Sequence, residues 1–221
     1  MTDTPAGRRP KTSFLILWAG QLLSAMGTGL SGFAMGVFVY QLTGSTTQFA
    51  LVAAFSRVPS ILFSPFAGAL ADRWNRRRVM LAANAVSGLT VGLLALSGYL
   101  HALDTWQIYA AVAVIAIAGA FRDPAYYAGV SQLVPREQLG RAGGLVQSGE
   151  NIGLVAPPVV AGLLIAVIGL SGVLLVDAAT YVIGFVTAFV VSLPPVERAV
   201  QIVMDVCLIP LPIYRVWQVR R

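Results

Sequence analysis

The chain has 221 residues, 57% hydrophobic and 11% charged, where a soluble domain carries about 25% charged residues; too few charges remain to cover a water-facing surface, so a bilayer is its solvent. The net charge of +6 does not point to nucleic acid, because the basic residues fall in short clusters between apolar runs, a membrane-topology pattern. One cysteine and one histidine exclude a disulfide framework and leave a metal centre or metalloenzyme without ligands.

Residues 1–13 read as a cytoplasmic N-terminal segment. Arg8, Arg9 and Lys11 precede an apolar run from Phe14 to Tyr40, far longer than the apolar core of a cleavable signal. A spanning helix needs about 20 mostly apolar residues. The segments that meet this length are Phe14 to Tyr40, Gln48 to Ala71, Val79 to Tyr99, Thr105 to about Tyr127, about Ala142 to Ile168, and Gly172 to Leu193. The intervening segments test that division. Lys and Arg occupy alternate ones: Arg8, Arg9 and Lys11, then Arg73 to Arg78, then Arg136 and Arg141, then Arg198. The others, Gln41 to Thr47, Leu100 to Asp104 and Gly169 to Ser171, hold neither. Cytoplasmic loops are enriched in Lys and Arg, so six spans are predicted, with both termini cytoplasmic in a multi-pass protein of the cell membrane.

Between the second and third spans the chain reads GALADRWNRRR, Gly68 to Arg78. This stretch resembles the signature that joins helices 2 and 3 of the major facilitator superfamily, roughly G-x-L-A-D-R-x-G-R-R. Gly68, Leu70, Asp72, Arg73, Arg76 and Arg77 fall on it, and Asn75 stands at the second glycine. Asn tolerates a left-handed backbone better than most residues, so the turn is expected to survive. LTGS (Leu42 to Ser45), VPREQLGRAGGL (Val134 to Leu145) and LLVDAATYVIGF (Leu174 to Phe185) are similar to segments of the drug- and siderophore-exporting branch, with its macrolide-efflux and enterobactin-exporter groups. The resemblance implies an all-α fold, a six-helix bundle equal to the N-terminal half of a major facilitator transporter. SPFAGAL in the second span and APPVVAGLL in the fifth echo each other, as two inverted three-helix repeats would.

Full-length members have twelve helices in two halves. By that resemblance residues 194–221 are a cytoplasmic or interfacial tail, such as a truncated or frame-shifted chain would carry. The implied activity is proton-coupled efflux of a small amphipathic compound, a drug or siderophore, with the proton gradient as energy source and no cofactor. The implied partners are lipid, the substrate, and either a missing C-terminal half or a second copy. A non-transporting remnant and a membrane-embedded structural or regulatory subunit are the rival readings. No nucleophile motif or phosphate loop is present, so an enzyme is the least expected class.

A charge inside a span is costly unless paired or hydrated, and so marks function by default. Arg57, Glu150 and Asp177 are such charges. Glu150 is the first candidate for proton coupling and Arg57 for a charged substrate; Asp177 is a weaker candidate, nearer the outer end. The competing reading is a structural pair or a side chain reaching toward water. Gln21 and Asn151 are polar candidates for the cavity wall. Gly68, Asp72, Arg73, Arg76 and Arg77 form a candidate gate with Asp123, expected near the cytoplasmic end of the fourth span. The family resemblance implies that this acid engages the basic loop. Pro157 and Pro158 lack backbone donors and are expected to bend the fifth helix. Gly32 and Gly36, Gly88 and Gly92, and Gly149 and Gly153 are expected packing seams.

Overall fold

A computed structural model describes residues 10–71 and 74–191 of the chain. The expected N-terminal segment and tail lie largely outside these residues, as do Asp72 and Arg73. Five helical runs are long and apolar enough to cross a membrane: α1 Pro10–Thr43, α2 Thr46–Ala71, α3 Arg76–Tyr99, α4 Thr105–Leu133 and α5 Leu139–Val190. A 3₁₀ turn, Arg136–Gln138, leads into α5.

The helix ends follow from local chemistry. Gly44 adopts φ 64° and its N–H reaches the Tyr40 carbonyl at 2.8 Å, closing α1. Ser45 Oγ then accepts from Gln48 N at 3.3 Å, as an N-cap does. This accounts for the LTGS turn. Asn75 does not take the left-handed conformation expected of it. Its φ is −65° and ψ 111°, and its side chain caps α3. Asn75 Oδ1 accepts from the backbone N–H groups of Arg77 at 3.1 Å and Arg78 at 3.3 Å. The N-cap needs an oxygen acceptor and extended torsions, and a glycine would supply only the backbone freedom.

α5 is two helices in one run. Gly169 has φ 67° and ψ 179°, outside helical values, and the chain reverses there. Trp18 lies beside Leu145, Ala25 beside Gly153 and Gly29 beside Pro157, so the first limb (139–168) runs parallel to α1. Gly20 faces Thr187 and Gly27 faces Thr180, so the second limb (170–190) runs antiparallel. The expected six spans are therefore present. The fourth extends further than expected, to Leu133. Pro124 removes only one helical donor, and beyond it Ala125, Tyr126, Gly129, Val130 and Leu133 bury one face, which sustains the helix. Pro157 and Pro158 also lie within helix, and the non-helical torsions in α5 fall at Gly169.

Two apolar clusters close the ends of the bundle. One joins Leu17, Met80, Val130, Val146 and Ala188 at the end that carries the arginine loops. The other joins Val39, Val52, Leu94, Ile108 and Leu174 at the opposite end. α1 packs on the first limb as α2 packs on α4, where Tyr109 stacks on Phe55 with ring centres 5.3 Å apart. α3 packs on α4 as the second limb packs on α1. Exchanging the first three spans with the last three preserves these pairings, which is the inverted-repeat arrangement.

Of the glycine pairs, Gly149 and Gly153 form a complete seam: an added Cβ would sit 3.3 Å from Trp18 and 3.1 Å from Ala25. Elsewhere one member suffices. Gly36 abuts Phe49 and Gly88 abuts Tyr181, while Gly32 and Gly92 border open space.

Candidate substrate cavity and basic-end clamp

A cavity of about 700 Å³ opens between α1, α2, α4 and the first limb. Its wall is largely apolar, but charges from three helices enter it: Arg57 of α2, Arg122 and Asp123 of α4, and Glu150 of the first limb. Gln21, Asn151 and Pro158 line it too. The sequence candidates Gln21, Arg57, Asp123, Glu150 and Asn151 thus converge on one space. Gly68, Arg76, Arg77, Pro157 and Asp177 lie elsewhere.

Arg57 and Glu150 do not form an ion pair. Glu150 accepts hydrogen bonds from Tyr127 Oη and, at 3.3 Å, from Gln147 Nε2. Arg57 is exposed to the cavity. Among the described residues one ion pair forms, Arg122 to Asp123 at 3.1 Å. Glu150 thus meets only neutral donors, and Arg57 has no acid partner among the described residues. The space can therefore hold an amphipathic molecule whose apolar body meets the wall and whose polar groups meet Glu150 or Arg57.

The expected contact between Asp123 and the basic loop's Arg76 is absent. Arg76 Nη1 donates to the Ala128 carbonyl at 3.0 Å, and Asp123 turns to Arg122. The longer fourth helix explains this. With its end at Leu133, Asp123 sits almost three turns inside, at the cavity and not at the mouth. Arg77 also engages backbone: Nε donates to the Ala188 carbonyl at 3.3 Å and Nη2 to that of Phe189. Its guanidinium carbon lies 4.9 Å from the Phe189 ring centre. Carbonyls of a helix's last turn have no partners within the helix, and a cation there complements the helix dipole. The two arginines therefore clamp α3 to α4 and to the second limb. A Cβ on Gly68 would meet no neighbour, so that glycine is not required by packing among the described residues.

Asp177 does not reach toward water. It is fully buried between α1 and the second limb. Ser31 Oγ and, at 3.3 Å, Thr180 Oγ1 donate to it. Gly27 makes the room, since a Cβ there would stand 2.6 Å from Asp177 Oδ1. Sequence reasoning missed Arg122 and Tyr127, because a span ending at Tyr127 placed both at the membrane surface. The available signal was that the apolar spacing of Ala125, Gly129 and Val130 continues past Pro124.

The family model described as Major Facilitator Superfamily matches residues 17–215 of the chain. Among curated relatives, macrolide efflux protein A of Streptococcus pyogenes is 29% identical over 191 residues, covering 86% of this chain and 47% of that protein. The multidrug efflux pump Tap of Mycobacterium tuberculosis is 31% identical over 163 residues, 71% of this chain and 38% of the relative. Tap of Mycolicibacterium fortuitum is 31% identical over 176 residues, 76% and 41% respectively. The chain spans less than half the length of these relatives.

Proposed function

Because this chain belongs to the major facilitator superfamily, we propose that it forms one half of a proton-coupled exporter of small amphipathic compounds, drugs or siderophores. The observation that carries this reading is the cavity itself, an apolar space in a membrane bundle with Arg57 and Glu150 in its wall. The relatives named macrolide efflux protein A and Tap support drug-like cargo. In this reading Arg57, Gln21 and Asn151 contact the substrate. Glu150 binds a proton in one orientation of the cavity and releases it in the other, and transport involves no bond-making on the substrate.

The cavity is flanked by helices with little buried surface. α2 buries only Val52 and Ala67 among its described residues, and the first limb exposes Val155, Val159, Leu163 and Val167. Charged groups in an open trough cannot face lipid without large cost. A second six-helix bundle covering α2 and the first limb removes that cost and supplies the body against which alternating access rocks. We assign this role to a complementary C-terminal half, with a second copy of the chain as the alternative. The protein is placed in the cell membrane with the arginine loops and both termini in the cytoplasm. Asp72, Arg73, Arg76 and Arg77 would then steady one orientation of the pair.

The test is export of an amphipathic dye from cells that carry the chain alone and cells that also carry the second half of a relative. Export that requires both, with crosslinks from α2 to the added half, is expected. Equal dye retention in both strains and in empty cells would overturn the proposal. A crosslinked homodimer that exports alone would replace the added half with a second copy.

A further inference from the structure

α1 carries Gln21, Ser24, Thr28 and Ser31 at spacings of three, four and three residues, which places four hydrogen-bonding side chains along one helical face. That face packs on Asp177, Tyr181 and Gly184 of the second limb. Ser31 meets Asp177, Thr28 Oγ1 lies 2.8 Å from Tyr181 Oη, and Ser24 Oγ lies 3.6 Å from where a Cβ on Gly184 would stand. Asn84 of α3 completes the same layer, with Nδ2 3.5 Å from that Cβ position.

The lower part of this seam is polar, buried and unsatisfied. Ser24 is 0% and Asn84 1% exposed. Ser24 Oγ, both side-chain polar atoms of Asn84, and Gln21 Nε2 have no hydrogen-bond partner among the described residues. A buried donor or acceptor left unpaired costs about 1–3 kcal/mol, and such groups are ordinarily satisfied by ordered water, which needs two to four polar partners. Gly184 leaves the space between Ser24 and Asn84. Gln21, Thr28, Ser31 and Tyr181 also line the cavity, so water can enter.

We propose that this seam is a hydrated proton path, in which water held by Ser24 and Asn84 connects the cavity at Gln21 through Thr28 and Tyr181 to Asp177, a second proton-binding carboxylate apart from Glu150. Successive members of the stripe are about one helical turn, or 5.4 Å, apart, a gap that one bridging water spans. A hydronium in the cavity gives its proton to the chain of water and hydroxyls, and the Asp177 carboxylate takes one. Only O–H bonds form and break, and the reverse path releases the proton. The charged or titratable groups facing Asp177 are Tyr181 on its own helix and Arg122 of α4. α1 and α3 present only neutral hydroxyls and an amide.

The proposal rests on the transporter reading, but its test needs no transport. The chain is reconstituted in lipid, and the infrared stretch of protonated carboxyl groups is followed during pH titration and on transfer to deuterated water. A band that Asp177→Asn removes and Glu150→Gln keeps is expected, with its deuterium shift complete at the first time point. Gly184→Ala puts a methyl in ordinary contact with Ser24 and Asn84 and is expected to slow that shift measurably. Ser24→Ala with Asn84→Leu is expected to do the same. Absence of any Asp177-dependent band, or an unchanged exchange rate in the Gly184→Ala protein, would overturn the proposal. Dye export that persists alongside either result would leave the transporter reading intact.

Discussion

Arg77 in the first turn of α3 closes the far end of the bundle by holding Phe189. Its guanidinium lies over the Phe189 ring and donates to the Phe189 carbonyl, with a second bond to Ala188. Arg77 thus acts as a C-terminal cap of the second limb.

Arg77→Ala removes the helix-end cation, worth about 0.3–1 kcal/mol and up to about 2 when partly buried, and a cation–π contact of about 0.5–1 kcal/mol. The expected result is a thermal unfolding midpoint in detergent several degrees below wild type. Arg77→Lys should recover only part of the loss, since an ammonium lacks the planar fork. Equal midpoints for all three proteins would show that the cap contributes nothing.

Asn75 gives a second stability test. As an N-cap, its replacement by Ala should cost about 1 kcal/mol, by Ser little, and by Gly a few tenths. A left-handed turn would instead make Gly the best residue at this position. The order of unfolding midpoints for Ser, Gly and Ala variants separates the two roles.

The number of spans, the alternation of basic and neutral loops and the proline-bearing helices were legible in the sequence, because apolar run length and arginine placement are set by the bilayer itself. The partners of individual charges were not. Pro124 and the adjacent Arg122–Asp123 pair look like a helix end, yet burial of Ala125, Tyr126 and Val130 carries α4 onward and moves both charges to the cavity. Asp177 looked interfacial from its place in its span. Its burial depends on Gly27 and Ser31, which are remote in sequence, and no local pattern records that contact.

Packing at Gly27 and Gly32 should differ sharply although both are glycines of one helix. Gly27→Val would collide with Asp177 and Thr180, whereas Gly32→Ala enters open space. The first is expected to lower the yield of folded, monodisperse protein by size-exclusion chromatography, and the second to leave it unchanged. Loss in both would place a neighbour over Gly32 that the single bundle does not contain.

Tyr127 positions the Glu150 carboxylate from α4. Tyr127→Phe leaves Gln147 as the remaining donor. In vesicles that also hold a complementary half, export is expected to fall several-fold while its dependence on pH persists, because the Glu150 carboxyl proposed to carry the proton is still present. A pH-independent residual rate would contradict Glu150 as a coupling site that works without Tyr127.

The central claim is that the cavity moves amphipathic molecules at the expense of protons bound at Glu150. The direct measurement is accumulation of an amphipathic dye in inside-out vesicles carrying the chain and a complementary half, with the proton gradient imposed and then collapsed. Wild type should lose accumulation when the gradient is dissipated. Glu150→Gln should show only a small, gradient-independent level. Full gradient-driven accumulation by Glu150→Gln would contradict the account.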